Sequence, residues 1–217
     1  MRTAAFTTFR WRRRSNGCRR TTTSGDQCFP SSSTRASLLK PYLCDTLLTI
    51  SECGVYRPLW STDVLAELDR NLRKRGASEH QVAHRLGQMR RHFPDAEVTG
   101  YQHLVEAMEN DPKDRHVLAA AVCGGAELLI TENLKGFPAA AVSRFDIEVL
   151  HQDEFLLDRL DLAPELVIAA LRRQVSRHRR TPRTVDDLLD ILANEGHRCS
   201  GFADALRSAG AFGTWRS

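Results

Sequence analysis

Asp111-Pro112-Lys113-Asp114-Arg115-His116-Val117-Leu118-Ala119-Ala120-Ala121, with Ile130-Thr131-Glu132-Asn133-Leu134-Lys135-Gly136-Phe137-Pro138 behind it, is the stretch on which the reading of this chain turns. The first segment puts two carboxylates at the mouth of a predicted helix. Asp111 takes the N-cap position, Pro112 the first helical position, and the helix runs to about Cys123 before Gly124-Gly125. The second segment puts Thr131 and Asn133 just past a short apolar strand, Leu128-Leu129-Ile130. A helix start and a strand end of this kind can face each other across a metal ion. Hard divalent cations take oxygen ligands, usually one or two carboxylates with several retained waters. A site that cleaves a phosphodiester therefore needs acids converging from separate elements.

A third acid lies upstream. Ser61 caps a predicted helix from about Thr62 to Arg75, and Glu67 sits in it, flanked by Leu65 and Leu68 of the apolar stripe. Each acid also has a plain reading. Asp114 in the first turn is favoured by the helix dipole, Glu67 can be a solvated helix charge, and Asn133 with Gly136 can be a turn. His116 reads as an exposed helix residue rather than a base, and Tyr56 and Trp60 as core or edge residues rather than stacking platforms.

The surrounding pattern is orderly from Leu38 onward. Helices are predicted at Pro41 to Cys53, about Glu79 to His92, and Gln102 to Glu109; strands are predicted at Glu97-Val98-Thr99 and Ile147-Glu148-Val149-Leu150. Helices and short apolar strands in alternation argue for an α/β fold with a mostly parallel sheet. After Asp153 everything reads helical: Phe155–Leu160, Pro164–Arg177, Val185–Asn194 and a last turn at Phe202–Ser208. The expected organisation is an Arg/Ser/Thr-rich segment over 1–36, a main domain over 37–152, and a helical C-terminal extension over 153–217.

Charge is uneven along the chain. The formal net charge is +4, but residues 1–35 hold eight arginines and a single acid, Asp26, so the remainder is −3. The folded part is thus no basic clamp by net charge. No run approaches the length of apolar residues that spans a bilayer. The six cysteines form no CxxC pair, and Cys44, Cys53 and Cys123 read as small buried hydrophobes in a reducing compartment. In residues 1–33 no helical or strand period survives.

Taken together, Tyr56-Arg57-Pro58-Leu59-Trp60-Ser61 with Leu65-Ala66-Glu67-Leu68, the Asp111–Ala121 segment, and Thr131-x-Asn133-Leu134-Lys135-Gly136-Phe137-Pro138 resemble the PIN-domain family. More narrowly they resemble bacterial VapC-type toxins that carry a helical C-terminal extension. The resemblance covers roughly Leu38 to Leu150, and more loosely the tail to about residue 208. It implies a three-layer α/β fold and a Mg²⁺- or Mn²⁺-dependent endoribonuclease of the cytoplasm. RNA would be the substrate, a cognate antitoxin the inhibitor, and a homodimer a frequent assembly. Glu67, Asp111 and Asp114 would be the metal ligands, and Glu67, Asp114, Asn133 and Thr131 the catalytic set.

Two departures stand out. The family opens with a short strand ending in an Asp, whereas Thr34 falls near that place here and no apolar strand precedes it. Loss of that acid weakens the hold on a metal, and loss of the strand would leave a gap or a bare edge in the sheet. The alternative expectation is therefore a PIN scaffold impaired in catalysis that only binds an antitoxin or sister subunit. Residues 1–36 are expected to reflect a shifted reading frame or a wrong start. The second departure is Gly136, where related chains often carry another Asp.

Overall fold

A computed structural model of the chain describes residues 9–10 and 41–210. The described residues fall into two compact units, one holding 9–10 and 56–155, the other 41–55 and 156–210. The units do not follow the boundaries at 36 and 152, because the first helix groups with the C-terminal helices. Thr34 and Asp26 lie outside the described residues, as do Cys18 and Cys28.

The first unit is α/β. Its larger sheet has the order β2-β1-β5-β6, from β1 (Phe9–Arg10), β2 (Arg57–Pro58), β5 (Leu128–Ile130) and β6 (Glu148–Leu150). β5 and β6 run parallel in the register Leu128↔Glu148, Leu129↔Val149, Ile130↔Leu150. β1 is antiparallel to both neighbours, with Phe9 opposite Pro58 and Leu128. A second, two-stranded sheet pairs β3 (Trp60–Ser61) with β4 (Glu97–Val98) in parallel. The expectation that no strand exists in the first 33 residues is corrected here. The backbone of Phe9–Arg10 fills the expected gap, because unpaired ladder groups of β2 and β5 can be satisfied by any extended backbone, whatever its side-chain pattern.

Helices surround this framework. α2 (Thr62–Lys74) starts where Ser61 accepts a hydrogen bond from the Val64 N–H at 3.1 Å, and α3 (Glu79–His92) starts at a reciprocal Ser78–Gln81 capping box. Residues Gln102–Ala107 form a 3₁₀ helix rather than the expected α-helix. α4 (Arg115–Cys123) is buried along Val117 to Ala121 against Leu59, Val98, Tyr101, Met108, Leu129 and Phe137. Small alanines let α4 lie close to the strands, so its first turn is held at the strand ends. α5 (Ala139–Val142) leads into β6. Tyr56 and Trp60 are core residues as expected, each edge-on to a phenylalanine: Phe155 at 5.1 Å and Phe93 at 5.8 Å. Cys123 departs from expectation: it is exposed, because it ends α4 on the side away from the core stripe.

The second unit is all-helical. α1 (Pro41–Glu52) packs chiefly on α7 (Pro164–Ser176) and also on α8 (Val185–Ala193), and α8 packs on α9 (Ser200–Ser208). α6 (Gln152–Leu162) links the units in sequence. Buried Leu43, Leu47 and Ile50 of α1 and Val167, Ile168 and Leu171 of α7 supply the apolar faces. No described helix is long and apolar enough to cross a membrane.

Candidate active site

The helix carrying the paired acids begins later than the Asp-Pro signature suggests. Residues 112–114 form a turn first: the Asp114 N–H donates to the Asp111 carbonyl at 2.8 Å, and the Lys113 N–H to Asp111 Oδ1 at 3.0 Å. The Asp111 N–H in turn donates to the Gly136 carbonyl at 3.0 Å, tying this turn to the loop after β5. Asp114 is the N-cap of α4, with φ −106° and ψ 5°, and its carboxylate makes no capping bond. Freed from capping, it reaches across: Asn133 Nδ2 donates to Asp114 Oδ2 at 2.9 Å. One hydrogen bond thus closes the helix start onto the strand end.

Thr131 and Gly136 set that contact. Thr131 is buried, and its Oγ1 accepts the Asn133 N–H at 3.0 Å while its own N–H donates to the Leu150 carbonyl. Its part in the site is to fix the turn that aims Asn133. A Cβ at Gly136 would lie 2.5 Å from Asn133 Nδ2 and 2.8 Å from Asp114 Oδ2. The amide of Asn133 therefore occupies the space a side chain at 136 would need, and the absence of an Asp at this position has a steric reason. Gly136→Ala is expected to dislodge the amide from Asp114. If Asp114 ligates a cation, metal affinity is expected to fall on the order of tenfold or more, the size of effect usual for an outer partner of a ligating carboxylate. A calorimetric metal titration checks it, and an unchanged affinity would show that the Asn133 contact does not matter.

Asp114 is the electrostatic centre of the site. Burial pushes its carboxyl above the ordinary range; the Asn133 hydrogen bond opposes this, Asp111 adds to it, and His116 and Lys113 pull the other way. Glu67, on α2, is half-buried, with Oε1 at 3.8 Å from His116 Nε2 and 3.9 Å from Arg70. His116 therefore lies against Glu67 and is also among the groups that hold down the Asp114 carboxyl. It is not the exposed helix residue expected from sequence: its side chain is 18% exposed, and the Nε2 is buried without a hydrogen bond. The spacing Asp114-x-His116 was the available signal. Pairing with Glu67, 49 positions earlier, was not readable without the fold. Asp111 is exposed, with one carboxylate oxygen used in its own turn.

Several buried polar atoms in this stretch make no hydrogen bond among the described residues. Both amide atoms of Asn110, Nε of Arg115 and Nε2 of His116 are in this state, all within seven residues around Asp114. Such atoms cost about 1–3 kcal/mol each when left unpaired.

The donor set fits a hydrated hard cation better than a caged one. Among the described residues, no three His, Cys, Asp or Glu side chains converge closely enough to hold an ion by themselves. Glu67 and Asp114 offer the one or two carboxylates that Mg²⁺ takes while keeping its waters. A closed, four-ligand zinc site has no counterpart here. Glu67 is anchored on α2, and Asp114 at the N-cap of α4.

Comparison with known proteins divides the chain in two along its sequence. The PIN domain family matches residues 36–135, and the VapC50 C-terminal domain family matches residues 152–208. A protein described as "Putative ribonuclease VapC50" from Mycobacterium tuberculosis (strain ATCC 25618 / H37Rv) is 43% identical over 112 residues. That match covers 52% of this chain and 66% of the relative, just under two thirds of its length. No solved structure matches the chain.

Proposed function

Because this chain belongs to the PIN-domain family, in its VapC-type form, we propose that it is a divalent-metal-dependent endoribonuclease and the toxin of a toxin–antitoxin pair. Residues 37–152 form the nuclease part in this reading and 153–217 its extension. The protein works in the cytoplasm, is restrained by a cognate antitoxin, and pairs as a homodimer. The observation that carries the reading is the Asn133–Asp114 hydrogen bond; Glu67 lies 3.8 Å from His116, two residues beyond Asp114 in sequence. The hydrogen bond joins two distant segments at a buried acid whose burial is costly unless a cation offsets it.

Glu67 and Asp114 would hold Mg²⁺ or Mn²⁺, with Asp111 as a further ligand, directly or through water. The bound ion supplies Lewis acidity to a phosphoryl oxygen and lowers the pKa of a water. The chain's own residues do the positioning. Asn133 fixes one oxygen of Asp114, and its Oδ1 is left to accept a hydrogen bond from a water or a ribose hydroxyl. Thr131 holds the turn that aims Asn133. Lys113, Arg115 and Lys135 stand on the two segments that form the site and meet phosphate oxygens there, contacts that position the substrate without reading its sequence.

A second reading, a PIN scaffold that binds an antitoxin or sister subunit without cutting, is favoured by one observation. No three ligands converge among the described residues. Induced expression with a growth readout, beside an RNA cleavage assay with and without EDTA, separates the two. Growth arrest with EDTA-sensitive cleavage is expected. Antitoxin binding with no cleavage at any Mg²⁺ or Mn²⁺ concentration would establish the scaffold instead.

A further inference from the structure

Between Arg172 and Arg183 the chain holds six arginines and His178, with no acid. This stretch covers the end of α7 and the loop to α8, inside the helical second unit. Arg172, Arg173, Arg177, Arg179, Arg180 and Arg183 are all exposed. Arg173 and Arg177 share one carboxylate, Glu52 on α1, each at 3.1 Å. Arg172, Arg180 and Arg183 form no ion pair among the described residues.

Local helix energetics explain only part of this. Cations in the last turn of α7 are favoured by the helix dipole, which accounts for Arg173 and its neighbours. Arg183 has the opposite placement. It directly precedes Thr184, the N-cap of α8, where the dipole disfavours a cation. Its backbone N–H donates to Asp187 Oδ2 at 3.0 Å, but its guanidinium makes no ion pair among the described residues. Meanwhile the patch is held on a fixed base. Gln174 is buried, with its Oε1 accepting from Thr46 Oγ1 at 2.9 Å and its Nε2 donating to the Tyr42 carbonyl at 3.1 Å; Val175 and Pro182 are buried beside it. Three unpaired guanidinium groups are therefore displayed from a rigid support.

We infer that this arginine-rich segment, Arg172, Arg180 and Arg183 above all, binds the phosphate backbone of RNA. The inference rests on the reading of RNA as the substrate. Chemistry selects the partner. Protein interfaces need an apolar centre and are depleted of charge there, yet the large exposed hydrophobics of the described residues are Leu134, Leu162 and Leu166, none of them in this stretch. Interfaces with nucleic acid are polar and strongly positive. Guanidinium forks suit phosphate oxygens, singly or in pairs. The extension thus supplies affinity without reading sequence, and specificity stays with the nuclease part.

The test measures binding apart from cleavage. A labelled, mixed-sequence single-stranded RNA is titrated with the full chain carrying Asp114→Asn, in EDTA, across a range of salt. Adding Arg172→Ala, Arg180→Ala and Arg183→Ala together is expected to weaken binding on the order of tenfold and to reduce the salt slope by about 2, three phosphate contacts at roughly 0.7 each for a single strand. The matching triple Lys variant retains both, since charge is what the backbone senses. Circular dichroism and the melting temperature verify that the exposed substitutions leave the fold intact. An unchanged dissociation constant and slope in the Ala variant, as would follow if the patch served an acidic protein, overturns the inference. A wild-type chain that never cuts RNA yet loses binding on these substitutions would remove the nuclease reading and leave this surface standing.

Discussion

Replacing Asp114 with Asn is expected to abolish metal-dependent cleavage and, at neutral pH, to raise the melting temperature. Both outcomes follow from one fact: this carboxylate is buried at the N-cap without capping its helix, and burial raises its pKa. Lewis-acid stabilisation is worth several kcal/mol, and each 1.4 kcal/mol or so is tenfold in rate, so the loss of cleavage should be on the order of 10²–10³-fold or more. The stability effect has a definite sign. A carboxyl whose folded-state pKa lies above its unfolded value keeps its proton longer when folded, so stability falls as pH rises through that window. Above the folded pKa the ionised group costs stability in full. Asn removes this cost, so the gain in melting temperature is present at neutral pH and fades as pH falls through the raised pKa toward the ordinary carboxylate range. Metal affinity of the wild type should weaken over the same acid window, because protonation removes the ligand. Thermal melts of both proteins from acid to neutral pH test this. A variant less stable than wild type at neutral pH would mean that the Asn133 hydrogen bond outweighs desolvation.

Glu67→Gln is the second large effect, and its stability signature differs. Glu67 is half-buried, and its neighbours His116 and Arg70 lie at 3.8 and 3.9 Å, too far for strong hydrogen bonds. Ion pairs of that kind contribute roughly 0–1 kcal/mol. The substitution should leave the melting temperature nearly unchanged while weakening metal binding and cutting the rate by about 10²-fold or more. Loss of activity without loss of stability separates a ligand from a structural charge. A variant with wild-type cleavage would leave Asp114 alone at the centre and favour the non-cutting scaffold.

How far the sequence could carry this reading depended on whether a feature was local. The strand Leu128–Ile130 and the helices at Thr62 and Glu79 were legible, because an apolar run or a Ser cap with its partner three residues on decides each within one turn. The start of α4 was not. Asp-Pro satisfies the signature of a helix cap and of an Asx turn equally. What selects the turn is the bond from Asp111 to Gly136, which only the folded loop provides. His116 beside Glu67 belongs to the same class, as does the side-chain amide of Asn133 filling the space above Gly136. The pairing of Phe9–Arg10 with β2 and β5 had no side-chain pattern to announce it, since backbone groups alone make those bonds. Residue types at the site were readable; their mutual contacts were set by packing of α4 on the strands.

The proposed function turns on whether Glu67 and Asp114 both bind one hard divalent cation. Calorimetric titration of Mn²⁺ into the wild-type chain and into Asp114→Asn, Glu67→Gln and the double variant tests it most directly. The account predicts one site in the wild type, a loss on the order of tenfold or more for each single variant, and a double variant barely worse than either, because ligands of one ion are not additive. Equal affinity in all four proteins would contradict it.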